Sequence, residues 1–71
     1  MNEARIIPAW TGPVVAKMHV NRITYDDLAA ETHYTKSYIS MVLTGRRKPK
    51  GAEERFSEAV DRIVLERNGR Q

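Results

Sequence analysis

The side chains with the greatest chemical reach in this chain are five cations, Lys36, Arg46, Arg47, Lys48 and Lys50, and no acidic residue lies between positions 32 and 52. The rest of the chain holds seven basic and nine acidic residues, so the formal net charge of +3 understates how far positive charge is focused. A focused patch of this kind is the electrostatic footprint of a polyanion partner. It is equally the footprint of a solvated basic loop, and charge alone does not separate the two. The residues just upstream weigh on the choice. Thr35, Lys36, Ser37, Tyr38, Ser40 and Met41 offer hydroxyls, one ammonium and one flexible apolar side chain. Such groups donate to and accept from phosphates and base edges, whereas a surface helix with only a structural role more often carries Glu–Lys pairs.

Other chemistry has little to work with. The chain has two histidines, His19 and His33, without HExxH-type spacing, and no cysteine. No metal site, disulfide, cofactor site or nucleophile–base pair is expected, and no glycine-rich phosphate loop is visible. Asp26 and Asp27 are paired carboxylates only in name. Adjacent helical residues point in different directions, and capping accounts for them. The chain is therefore not read as an enzyme. No apolar run approaches the ~18 residues of a membrane helix, and the first ten residues, MNEARIIPAW, lack a signal peptide's long apolar core. With no cysteine this fits a reducing cytosol, and the expected location is cytoplasmic.

The elements that must position these residues are helices. The chain's 71 residues make one domain, with about ten to fifteen buried apolar side chains at roughly 1.5–3 kcal/mol each. Residues 1–10 read as an N-terminal arm. In it Ile6, Ile7 and Trp10 are apolar enough to dock, Arg5 is a lesser candidate for reaching a partner, and Pro8 opposes a helix. Residues 11–67 read as the folded domain and 68–71 as a polar tail. The first helix starts between Thr11, its cap, and Pro13. Val14, Val15 and Met18 are its apolar positions, and Asn21 is the left-handed stop. Lys17 and His19 are solvated, and Ile23 is a buried connector. Thr24 and Asp27 form a capping box for the second helix, which holds Leu28 and ends near Thr32. His33 takes a positive φ in the turn. Thr35 caps the third helix, where Ile39, Val42 and Leu43 face the core. Gly45 ends it, and Pro49 stops it resuming. A last helix from about Ala52 to about Arg67 carries the stripe Ala52, Phe56, Ala59, Val60, Ile63 and Val64, with Glu58, Arg62 and Glu66 solvated. Leu65 falls off the stripe and reads first as an isolated exposed leucine and second as part of a dimer contact. Strand signal is confined to Ile6–Ile7. The fold class is all-α, a small bundle of four to five helices.

From Leu28 to Pro49 the sequence resembles the Cro and phage-repressor family of helix-turn-helix proteins, the xenobiotic-response-element type. The matching residues are Leu28-Ala29, Thr35 six positions after that alanine, Ile39-Ser40, Gly45, a basic run and Pro49. The resemblance covers about a third of the chain and implies a lambda-repressor-like DNA-binding domain whose third helix enters the major groove. It implies base contacts from Lys36, Ser37 and Met41, phosphate contacts from Thr35 and Tyr38 with Ser40 beside them, and a backbone grip from Arg46, Arg47 and Lys48. The sequence departs from the family at Tyr25, where glutamine is common, and at His33 and Tyr34, where glycine and a small aliphatic residue are common. The base-facing positions also lack the family's frequent glutamines, so no target sequence is implied.

The resulting expectation is a sequence-specific transcriptional regulator, a repressor of phage or mobile-element type, whose partner is double-stranded DNA. A homodimer would span half-sites about one turn, roughly 34 Å, apart. Two alternatives keep the helical fold. An antitoxin would wrap a toxin with an extension, for which the residues after Arg67 are few. A protein-interaction module would show no salt-sensitive DNA affinity.

Overall fold

The computed structural model describes residues 7–69, which form four α-helices and, among them, no strand. Expectations that rest on Arg5, Ile6 or the last two residues lie outside the described residues.

Helix α1 spans Thr11–Val20. Its start differs from the expected threonine cap. Trp10 is already right-handed (φ −65°, ψ −22°), so the helical conformation begins one residue early. Thr11 thus lacks the extended backbone that a capping side chain requires. Its hydroxyl is buried and donates instead to the Pro8 carbonyl at 2.8 Å. Val14 and Met18 face the core, whereas Val15 is exposed. The helix stops one residue later than expected. Asn21 keeps a negative φ of −97°, and Arg22 takes the left-handed conformation at φ 57°. The amide of Ile23 donates to the Met18 carbonyl at 2.8 Å and that of Arg22 to His19 at 3.2 Å. This is the paired bonding of a Schellman stop, in which the residue after the left-handed one packs on the helix's last turn. Ile23 is the side chain that must be buried, and it is. Its burial forces the reversal onto Arg22.

Helix α2, Tyr25–Thr32, begins with the capping box intact: Thr24 Oγ1 accepts from the Asp27 amide at 3.1 Å, and Asp27 Oδ2 accepts from the Thr24 amide at 2.8 Å. Its end is the expected one. His33 is left-handed at φ 68°, and its amide donates to the Ala29 carbonyl at 2.8 Å. Three residues later α3, Lys36–Leu43, opens on Thr35, whose hydroxyl accepts from the Tyr38 amide at 3.0 Å. Gly45 ends α3 at φ 85°, a conformation that a side chain would strain. Helix α4, Ala52–Asn68, follows the eight-residue connection 44–51, whose last residue, Gly51, is also left-handed.

The four helices share one core. Helix α4 packs against α1 and α2, and α2 also packs against α3. Twelve apolar side chains are buried among the described residues, with Phe56, Leu28, Ile39, Val42 and Val60 the most enclosed. The α4 stripe is as expected except that Val64 is half-buried, and Leu65 is exposed. A line of aromatic rings crosses from the arm to α3. Trp10 lies 5.9 Å from Phe56, Phe56 6.0 Å from Tyr34, and Tyr34 4.9 Å from Tyr38, between ring centroids. Of the arm's apolar residues Trp10 docks, while Ile7 is half exposed.

Candidate nucleic-acid interface

The exposed surface of α3 follows from its core face. Burial of Ile39, Val42 and Leu43 sets Ser37 and Met41 opposite the core by the 100° step of the helix, with Ser40 on the flank and Lys36 at the helix's first position. Thr35, Lys36 and Ser37 are exposed; Ser40 and Met41 are half-buried. Thr35 spends one oxygen lone pair on the helix cap, which leaves a second lone pair and its O–H proton. Tyr38 differs from its expected place on the outer surface. Its ring is half-buried against the core beside Tyr34. It sits next to Ile39 in the helix, and the turn presents an aromatic partner that sequence spacing does not reveal.

The basic loop begins where α3 stops. The amides of Arg46 and Arg47 both donate to the Met41 carbonyl, at 2.8 and 3.1 Å, while that of Gly45 donates to Val42 at 3.2 Å. The loop backbone is therefore tied to the last turn of α3, next to the outward positions. Arg46, Arg47, Lys48 and Lys50 are all exposed. Four ion pairs occur among the described residues: Lys17–Asp61, Lys36–Asp26, Arg62–Glu31 and Arg67–Asp27. None involves a cation of the 46–50 loop. Lys50 belongs to this unneutralised group as fully as Arg46, Arg47 and Lys48. The charge tally along the sequence contained it, but the family pattern ends at Pro49.

The pairs elsewhere refine two expectations and correct one. Lys17 and Arg62 are exposed as expected, and each also meets a carboxylate of another helix at 2.5 Å, Lys17 with Asp61 and Arg62 with Glu31. Capping accounts for Asp27 but not for Asp26, whose Oδ1 lies 3.3 Å from Lys36 Nζ and joins the first turns of α2 and α3.

One further residue sets the orientation of the α2–α3 unit. Arg67, on the last turn of α4, donates from Nη1 to the carbonyls of Asn21 and Arg22 at 2.5 and 3.3 Å, and from Nη2 to Asp27 Oδ2 at 3.0 Å. It thereby fixes the end of α1 and the start of α2 on α4. Asp27 responds: the backbone N–H of Thr24, helped by the Thr24 hydroxyl and the Arg67 guanidinium and opposed by desolvation, holds its carboxyl below the usual carboxylate range. Sequence signals missed Arg67 as a clamp because its partners lie 40 or more residues away.

The described residues contain no group of three His, Cys, Asp or Glu side chains able to hold a metal ion. None of their helices is long and apolar enough to cross a membrane. No family model, curated protein or solved structure matches the chain.

Proposed function

We propose that the chain is a sequence-specific DNA-binding regulator that acts by occupying its site, with α2 and α3 as a helix-turn-helix and α3 as the element presented to the major groove. The observation that carries this reading is the unneutralised group Arg46, Arg47, Lys48 and Lys50, tethered through its backbone to the end of α3 beside a polar outward surface. Phosphates are met by cations and hydroxyls, and base edges are read by a few side chains held in register by those phosphate contacts. The loop cations and the Thr35 hydroxyl suit the first role. Lys36, Ser37 and Met41 suit the second, since a methionine can touch a thymine methyl, with Ser40 beside them. Tyr38, half inside the core, contributes stiffness to α3 before any phosphate contact. Few of these groups make bidentate base contacts, so part of the specificity would come from DNA shape.

The test is selection from a random-sequence duplex pool with sequencing, at two salt concentrations. An enriched motif with salt-sensitive affinity is expected. A palindrome with half-sites one turn apart would report a two-fold dimer. Affinity confined to low salt, with no motif, would remove sequence-specific reading and leave only a basic surface. Absence of salt-sensitive affinity would favour a protein partner.

A further inference from the structure

The capping box uses one of two adjacent carboxylates. Asp27 closes it and is also held by Arg67. Asp26 takes no part in it and lies 3.3 Å from Lys36, the first residue of α3. Both side chains of the pair are well exposed, 75% for Asp26 and 59% for Lys36, so the attraction is weak and easily exchanged. Its position matters more than its strength. Lys36 is the one cation on the outward surface of α3, and the carboxylate beside it sits where a nucleic acid would approach.

We infer that Asp26 is a specificity-determining residue, which keeps Lys36 from acting as a phosphate binder and reserves it for the acceptor edge of a guanine; this rests on the reading of α3 as a DNA-reading helix. An ammonium has three donors. It can keep one on Asp26 and offer the others to guanine O6 and N7, which are neutral acceptors in the major groove. A phosphate at the same place would bring a full negative charge against Asp26. Within a Debye length of about 10 Å that repulsion is only partly screened. The carboxylate thus penalises phosphate contact and leaves base contact largely intact. Loss of its charge makes Lys36 another indiscriminate backbone contact.

The test compares the full chain with Asp26→Asn, Lys36→Met and the double variant, using duplex selection and binding to a scrambled duplex across a salt series. The parent is expected to enrich a guanine at one position, and Lys36→Met to lose that preference. Asp26→Asn is expected to bind the scrambled duplex roughly two- to fivefold more tightly, with the log–log salt slope steeper by about 0.9, the increment of one phosphate contact. Its guanine preference should relax about fivefold, with no further effect of Asp26→Asn once Lys36 is methionine. Asp26→Ser removes the same charge with a residue suited to a helix's first turn, and must reproduce the result if Asp26→Asn folds poorly by circular dichroism. A parent that selects a motif while both Asp26 variants keep its guanine preference and salt slope would overturn the inference alone. A parent without salt-sensitive DNA affinity would overturn the proposed function and the inference with it.

Discussion

Two non-glycine residues, Arg22 and His33, hold left-handed backbone at φ 57° and 68°. Each ends a helix, and each is exposed. A side chain in that region carries a steric penalty of roughly 1–2 kcal/mol that glycine avoids, offset in part by glycine's larger entropy loss on folding. Arg22→Gly should therefore stabilise the domain by about 0.5–1 kcal/mol, seen as a melting temperature a few degrees higher. An unchanged or lower midpoint would mean that the Arg22 side chain holds something the backbone geometry does not reveal. Asp27 yields a prediction in pH. Its folded carboxyl is more acidic than its unfolded one. The contribution is complete above the ordinary aspartate range, about pH 4. It is lost as pH falls below that through the depressed folded value, because the unfolded chain takes up the proton first. Urea denaturation of parent and Asp27→Asn at pH 7 and at pH 3 should show the variant losing less stability between the two. Equal losses would remove Asp27 as a source of the acid limb.

At the level of the element, the connection from α3 to α4 combines two left-handed glycines with four cations that no carboxylate of the described residues neutralises. Its backbone is tied down and its charged ends are not, which separates stability from binding. Replacing Arg46, Arg47 and Lys48 together with alanine removes exposed side chains and should leave urea denaturation near the parent. On DNA the same variant should weaken binding to all sequences and flatten the log–log salt slope by roughly two to three, at about 0.9 for each phosphate no longer neutralised. Parental affinity and slope in the triple variant would dismiss the loop as the backbone grip. Helix α3 itself is short, at eight residues, and without packing such a helix is marginal in water. Its orientation rests on Ile39, Val42 and Leu43 below and on the Tyr34–Tyr38 ring pair at its side.

Across the whole molecule, charge is sorted by packing. Helix α4 gathers pairs from α1 through Asp61, from α2 through Arg62, and from both through Arg67. These interactions consume cations on one side of the bundle and leave the 46–50 loop positive. Arg67 spans the most elements. Its bonds to a carboxylate and to two helix-end carbonyls are charge-assisted but partly exposed, so Arg67→Met should cost about 1–2 kcal/mol in urea denaturation. Combined with Asp27→Asn it should cost less than the sum of the two, since both remove the same ion pair. Strict additivity would show the Arg67–Asp27 ion pair to be energetically silent.

Most helix boundaries were legible in the sequence because their causes are local. A threonine with an aspartate three residues on, a glycine after the last apolar turn and a 3.6-residue stripe each act within about five residues, so the structure bears out Thr24, Thr35, Gly45 and the α4 core apart from Val64. Where two local signals competed, tertiary burial decided between them. Asn21 was the better left-handed residue by type, but burial of Ile23 placed the reversal on Arg22. Thr11 was the better cap, but the chain was already helical at Trp10. The candidate site divides the same way. Its hydroxyls and its basic run stand in the sequence as residue types at fixed spacing. Which cations remain free, which carboxylate meets Lys36 and how far Tyr38 sinks into the core depend on partners from other elements. The packing of α2 against α3 and α4 alone brings those partners within reach.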